Sequence, residues 1–523
     1  MSVEDFCMNI SMSNKMFYPA LLAVLVVSPY LCGAKHVVMM PAPTKSYLIY
    51  HAKVGHALTE LGHTVSICVP DYLANKGFVP NKAISIIKYG KQLGDIEAYI
   101  FNKTNIIAGF WAGEVPGIGN LGILINTFKE VVNQILSEEA FITSIRDLKP
   151  DFLILESFVF TRNLIVLPYK LDIPFGLIGP SQDSLLNRVP FNSASETFFF
   201  ENGSDRKTFL ERVKAVVASA ILMAYDPFTD ADIVTRYAPD KPYTTIREIA
   251  LKAEISIAET DHILDYPQST LPNTKRVGGF SVSDAKPLPQ DIKSFVERSS
   301  RGVAVVSFGG GDIKVPDHIK SKMATAFQKL DLNIVWKTNG GSEKEDNILA
   351  LNWIPQNDLL GHPKTKVFIS HCGTNGQYEA LYHGVPILCL PIFGDQFYNA
   401  NRIYVKGFGL HADIRDITAE KLTQLIQQVA DDSKYRTNTQ KASQIFKELH
   451  KIPSKEAAYW FDHVMKYGGD YMRSSGQQIP LYQFLLIDVI AFLLAVVIVF
   501  TLVVCLILRM CCRRLKKSKL KTA

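Results

Sequence analysis

The sequence predicts an α/β protein with two doubly wound domains around a cleft and one C-terminal membrane-spanning helix. Three observations carry this. A strand–helix–strand unit follows the first apolar run. A second alternation of strands and helices begins near residue 291. Residues Val489–Leu508 contain no charged side chain.

Phe17–Leu31 is apolar, preceded by Lys15 and followed by Cys32-Gly33-Ala34. This reads as a signal peptide over residues 1–34, cleaved after Ala34. Glu4 and Asp5 upstream make Met12 or Met16 alternative starts. His36–Met40 then reads as a short apolar strand and Pro41–Lys45 as a loop. Tyr47–Leu61 suits a helix with Ser46 at its N-cap and Gly62 as its stop. Thr64–Val69 is the next strand, completing a βαβ unit of a doubly wound domain. The alternation continues to Gly279, giving an N-terminal domain over 35–280. Ser281–Gln290, with Pro287 and Pro289, reads as a linker. A second domain over 291–480 has strands at Val303–Phe308, which runs into Gly309-Gly310-Gly311, at Ile334–Lys337 and at Val367–Ser370. Two such domains place ligands in the cleft, at the C-terminal ends of their strands.

Twenty helical residues, the length of Val489–Leu508, span about 30 Å, the thickness of a bilayer's hydrocarbon core. Arg509, Arg513, Arg514, Lys516, Lys517, Lys519 and Lys521 crowd the following tail, residues 509–523. The tail is therefore expected in the cytosol and the bulk of the chain in the lumen, as a single-pass type I protein. Lys519 and Lys521 resemble the dilysine retrieval signal of endoplasmic reticulum membrane proteins. Setting the tail's seven cations aside takes the net charge from +6 to −1, which argues against a nucleic-acid partner. Of the eight cysteines, Cys68, Cys372 and Cys389 lie in the expected luminal part. They form neither a disulfide framework nor a metal-ligand spacing, and whether two of them pair stays open. Asn102-Lys103-Thr104 and Asn202-Gly203-Ser204 are glycosylation sequons.

The chemistry concentrates between Trp353 and Gln396. The strand Val367–Ser370 ends in His371, and Cys372-Gly373-Thr374-Asn375-Gly376 opens a helix. Amide groups at such a helix start, with the positive end of its dipole, bind phosphate. Trp353 offers a flat face to a base. Glu379, a turn into the helix, can accept hydrogen bonds from ribose hydroxyls. Asp395 and Gln396 follow a further strand, Ile387–Leu390, where they can hold sugar hydroxyls.

This stretch, from Trp353-Ile354-Pro355-Gln356 through His371-Cys372-Gly373 to Asp395-Gln396, resembles the signature of the UDP-glycosyltransferases. That family includes the animal UDP-glucuronosyltransferases and plant secondary-product glycosyltransferases. The resemblance implies a GT-B fold, with an N-terminal acceptor domain and a C-terminal UDP-sugar domain. It also implies inversion at the anomeric carbon, no metal ion and no cofactor, the UDP-sugar being a co-substrate. By position, Trp353 stacks on uracil, Gln356 contacts the nucleoside and Glu379 binds ribose. His371 faces the diphosphate, which Gly373, Thr374, Asn375 and Gly376 contact. Asp395 and Gln396 hold the transferred sugar. Gly309 and Gly310 supply backbone donors where relatives carry a serine. The run Ser307–Gly311 looks closer to ceramide galactosyltransferases than to drug-conjugating members.

The pattern breaks at the catalytic dyad. Where the family has a histidine base at the start of the first helix, this chain has Tyr47. Where an aspartate orients that base, it has Glu156. A phenol with a reference pKa of about 10 is a poor base. Glu156 can act directly or through water if desolvation raises its pKa. His51 lies one helical turn beyond Tyr47 as a further candidate, against a plain structural role. The expected activity is transfer of a hexose or glucuronic acid to a small lipophilic acceptor. The alternative is a catalytically weak UDP-sugar-binding paralogue that associates with a related enzyme. The Phe198-Phe199-Phe200 run suits an apolar acceptor pocket or a plain core.

Overall fold

The computed structural model describes residues 33–114, 118–196, 204–309, 315–338 and 343–519. Residues 1–32 of the expected signal segment, the Phe198–Phe200 run, the Asn202 sequon and Gly310 lie outside them. The chain forms two units, Met1–Tyr471 and Met472–Ala523.

The first unit holds two seven-stranded sheets. In one, β1 (His36–Met40), β2 (Thr64–Pro70), β3 (Ile84–Tyr89), β4 (Phe152–Glu156), β5 (Phe175–Gly179), β6 (Ser256–Ala258) and β7 (Thr274–Arg276) run parallel in the order β3-β2-β1-β4-β5-β6-β7. Their sequences are almost continuously apolar because helices cover both faces. All five residues of β4 and of β5 are buried. Strand order reverses between β1 and β4, so a crevice opens where β1 leads into the first helix and β4 ends at Glu156.

That helix, α1, spans Lys45–Glu60, starting two residues before the expected Tyr47. The cause is tertiary. The Lys45 amide donates to Glu97 Oε1 at 2.6 Å, so a distant carboxylate satisfies the first turn and Ser46 sits inside the helix. Glu97 belongs to α2 (Ile96–Thr104), which is followed by α3 (Ile106–Trp111).

The second sheet comprises β8 (Val303–Ser307), β9 (Asn333–Lys337), β10 (Glu343–Lys344), β11 (Ile348–Leu351), β12 (Thr365–Ser370), β13 (Ile387–Cys389) and β14 (Gly409–His411), in the order β10-β11-β9-β8-β12-β13-β14. Only β10 is antiparallel to its neighbour. Its reversal point lies between β8 and β12. The site-bearing helices are α4 (Gln356–Leu360), α5 (Thr374–His383) and α6 (Gln396–Val405).

Three contacts tie the sheets together. Phe110 of α3 is buried in the apolar core of the second sheet, with the Arg415 guanidinium 4.0 Å from its ring centre and Arg415 Nη1 donating to its carbonyl at 2.7 Å. Arg402 of α6 is buried, donating to Asp265 Oδ2 at 3.1 Å and to Gln377 Oε1 at 2.9 Å. Finally α7 (Pro453–Tyr467) crosses back to the first sheet, where His63 Nε2 lies 3.0 Å from Asp462 and Phe461 lies against Phe152. Residues 453–467, read from sequence as part of the second domain, therefore cover the first sheet.

The second unit contains α8, Ile487–Lys519. Its stretch Ile487–Arg513 is long and apolar enough to cross a membrane, and the helix continues past the expected Leu508 into the basic tail. Charged residues do not break a helix, so only the apolar stretch, not the helix end, marks the expected span.

Candidate active site

The site is built on the two crevices. In the second sheet, β8 and β12 end side by side, Ser370 being in register with Ser307. The next residues are Phe308-Gly309 on one strand and His371 on the other. Gly309 has φ +87°, and a Cβ there would stand 2.9 Å from His371 Cε1. A Cβ on Gly373 would stand 2.8 Å from His371 Nε2. The imidazole is thus clasped by two bare backbones, at the N-terminus of α5 where Gly373 is the capping residue. Burial, and then the nearby Lys337 ammonium, lower the His371 pKa to about 4. At neutral pH the ring is uncharged. Lys337, the last residue of β9, donates to the Gly309 carbonyl and brings a cation to the same place. Neutral imidazole, ammonium and helix-start amides make an anion seat.

Trp353 lies between β11 and α4, and the α4 residue Gln356 puts Nε2 3.5 Å from where a Cβ on Gly376 would stand. Trp353 is 68% exposed, far more than an indole kept for packing. Gln356 Nε2 donates to Glu379 Oε2 at 2.6 Å, joining α4 to α5. Burial raises the Glu379 pKa to about 7, opposed by the Gln356 bond and the charge of Lys53 on α1. On the other flank Asp395 Oδ2 accepts from Asn399 Nδ2 at 2.6 Å and from Thr374 Oγ1 at 3.4 Å. Burial raises its pKa, opposed by the Asn399 bond. Gln396 uses its carbonyl to accept from the amides of Ile392 and Phe393, at 2.8 and 3.2 Å. Its acceptor is spent on the loop, so only its amide donors remain for a ligand. Thr374, Asn375 and Gly376 occupy the first turn of α5 as expected.

The first-sheet crevice holds Tyr47, Tyr50 and His51 of α1 and Glu156 at the end of β4. The Tyr50 hydroxyl donates to Glu156 Oε2. His51 Nδ1 lies 2.9 Å from the Tyr47 carbonyl, so this nitrogen carries the proton, and 3.8 Å from Glu156 Oε2. His51 Nε2 and Glu156 Oε1 are buried without a hydrogen-bond partner. Burial drives the His51 pKa down to about 3 and the Glu156 pKa well above the ordinary carboxylate range. Tyr47 is half-buried, its ring 5.0 Å from that of Phe158. Its pKa is raised by burial and then by the charges of Glu156, Asp395 and Glu259. The Tyr47 phenol therefore feels carboxylates from both sheets, including Asp395 at the start of α6.

Sequence reasoning missed Tyr50, Lys53, Glu259 and Lys337. Lys337 ends a strand that the sequence did place, and its cleft-end position was the available signal. Glu259 follows β6, a strand of three residues too short to stand out by pattern. Its Oε1 accepts from the Phe280 amide at 3.0 Å, and burial pushes its pKa to about 8. Asn102 is exposed on α2. No group of three or more His, Cys, Asp or Glu that could hold a metal ion occurs among the described residues.

Comparison with known proteins bears on the family and the fold. The family model described as "UDP-glucoronosyl and UDP-glucosyl transferase" matches residues 119–522. UDP-glucuronosyltransferase 2A3 of Pongo abelii is 29% identical over 83% of this chain and 84% of its own length. The 2-hydroxyacylsphingosine 1-beta-galactosyltransferase of Mus musculus is 27% identical over 87% of this chain and 85% of its own. Among solved structures, the calicheamicin glycosyltransferase CalG4 aligns with TM-score 0.58 at 16% identity, covering 83% of this chain and 98% of that one. Phytolacca americana UGT2, complexed with UDP-2fluoro-glucose and pterostilbene, aligns with TM-score 0.56 at 16% identity, covering 83% of this chain and all of that one. These structural likenesses carry the fold, the two-sheet GT-B arrangement. With a family model matched over most of its length, the chain belongs to the UDP-glucuronosyl and UDP-glucosyl transferase family.

Proposed function

We propose that this protein transfers a hexose or glucuronic acid from UDP to a small lipophilic acceptor, inverting the anomeric carbon without a metal ion. One observation carries the reading: a neutral His371, the Lys337 ammonium and the α5 amides converge beside exposed Trp353 and the Gln356–Glu379 pair. On this reading Trp353 stacks on uracil, Gln356 and Glu379 take the nucleoside, and the loop from His371 to Gly376 holds the diphosphate with Gly309. Asp395 and Gln396 face the sugar. The aromatic wall beside Tyr47, in which Phe158 packs on Phe128 and Phe160 with ring centres 5.7 and 5.1 Å apart, supports an apolar acceptor.

Glu156 is the proton acceptor in this scheme, with Tyr50 fixing one oxygen and Oε1 left for the proton. A raised pKa makes its ionised form a stronger base than an ordinary carboxylate, and only the deprotonated fraction can take the proton. Its carboxyl is sealed from solvent, so the proton crosses a water or the Tyr47 hydroxyl. His51, neutral and weakly basic, is held within α1 by its bond to the Tyr47 carbonyl. Microsomes offered radiolabelled UDP-glucuronate, UDP-glucose and UDP-galactose with phenols, amines and sterols should transfer one sugar. Glu156→Gln should lower kcat by about 10²–10⁴-fold, and unchanged turnover removes the assigned role.

A second reading has its own support. Burial disfavours the ionised form of Tyr47, Tyr50 and Glu156 alike and leaves His51 a feeble base. A paralogue that binds UDP-sugar, forms homo- or hetero-oligomers with related enzymes and assists an active one has no need of a base. UDP binding without transfer to any acceptor would select it. We further infer an endoplasmic reticulum membrane protein with a luminal body. A luminal body exposes Asn102 to glycosylation, so endoglycosidase should sharpen and lower its band on a gel unless Asn102 and Asn202 are replaced.

A further inference from the structure

A covalent bond joins two strand ends at the donor seat. Cys372 and Cys389 form a disulfide, 17 residues apart in sequence with Cα atoms 5.4 Å apart. Cys389 is the last residue of β13 and pairs in register with Ser370 on β12. Cys372 lies two residues past Ser370, between His371 and Gly373. Both side chains are fully buried. The backbone at Cys372 has φ +65°, a left-handed conformation that an L side chain adopts only when its surroundings enforce it. The Cys372 amide donates to Ser370 Oγ at 3.0 Å, and the bridge secures the side chain from the other strand. Cys68, the other described cysteine of the first unit, is an unpaired thiol on β2.

We propose that the Cys372–Cys389 bridge is a positioning device for the donor loop, and that UDP-sugar affinity depends on whether it is closed. The inference rests on the donor-site reading above. The strained residue is the joint between β12 and α5. Its conformation sets how His371 and the first amides of α5 face a common ligand. The His371 ring has no slack, clasped between Gly309 and Gly373 at separations that exclude even a methyl group. Opening the bridge takes two electrons and two protons from a dithiol, which itself closes to a disulfide, and leaves two cysteine thiols. The sulfurs then separate from a bonded distance of about 2 Å to a non-bonded contact of roughly 3.5–4 Å. In a buried site that displacement falls on the loop. A shift on the order of 1 Å in a ligand-positioning group is enough to lower binding or turnover about 10²-fold.

The test uses the full-length protein in lipid nanodiscs, with UDP titrated calorimetrically and KM for the UDP-sugar measured in parallel. Peptide mass mapping first establishes the bridge, and finding residues 372 and 389 never linked overturns the proposal. Reduction with dithiothreitol should raise the UDP Kd and donor KM at least about tenfold, with acceptor KM changed less than about twofold. Cys389→Ala should match the reduced protein and ignore reductant. Adding Cys372→Gly should restore most of the affinity, because glycine takes φ +65° without strain, whereas Cys372→Ala in the same background should not. Should Cys389→Ala fail to fold, reduction of the folded wild type decides alone. A bridge that only staples the fold would lower Tm on reduction and leave Kd and KM unchanged, and that result overturns the proposal. Oxidised wild type that binds no UDP would instead bring down the donor-site reading itself.

Discussion

Replacing Trp353 with alanine separates binding from folding more cleanly than any other change at the site. The indole is 68% exposed, so its removal leaves no cavity and should alter stability by less than about 0.5 kcal/mol. Stacking of a base on an aromatic ring is worth about 1–3 kcal/mol. That converts to roughly 5–150-fold in Kd at 1.4 kcal/mol per decade. Trp353→Ala should therefore weaken UDP by that factor in isothermal titration, while Tm stays within about 1 °C. Trp353→Phe keeps a flat face and should recover most of the affinity. Because Trp353 follows a strand of the second sheet while Glu156 ends one of the first, saturating donor should restore kcat. An affinity within about twofold of wild type would refute the assignment of this surface to the base, whatever the activity.

Three further outcomes follow from buried charge. The Glu379 pKa of about 7 means that the ionised form, the better acceptor for ribose hydroxyls, grows from pH 6 to 8. UDP affinity should rise over that range in wild type relative to Glu379→Gln, and parallel profiles would contradict the ribose contact. Glu259, with its pKa pushed to about 8, keeps in the folded state a proton that the unfolded chain releases above about 4.5, so stability falls as pH rises through this window. Glu259→Gln should gain Tm over wild type by about 2 °C or more at pH 8, with little difference at pH 4.5, as read by differential scanning fluorimetry. Arg402→Met removes the buried partner of Asp265, and breaking such a pair costs about 3–5 kcal/mol. It should lower Tm and yield, and a neutral result would show that Arg402 does not hold the two sheets together.

The parts of this protein written in local pattern were legible. The βαβ opening, the uncharged span and the helix start after His371 all depend on residues close in sequence. Gln356 bonds Glu379, and Asp395 bonds Thr374, with Glu379 and Thr374 both on the helix that opens after His371. What the sequence withheld depends on distant partners. Glu97 moved the start of α1, because a carboxylate 52 residues away caps the Lys45 amide. Tyr50 became the partner of Glu156 only when β4 was set beside α1. The return of α7 to the first sheet rests on Phe461 and Asp462 meeting residues some 300–400 positions earlier in the chain. The cysteine pairing stayed open in the sequence, since spacing alone does not reveal that β12 and β13 are neighbours.

The most direct test of the donor site is a crystal structure of the protein soaked in UDP. Uracil should lie on the Trp353 indole, ribose hydroxyls should reach Glu379, and the diphosphate should sit against His371 and the amides of Gly373–Asn375. A nucleotide bound elsewhere, or this turn left vacant at millimolar UDP, would contradict the account.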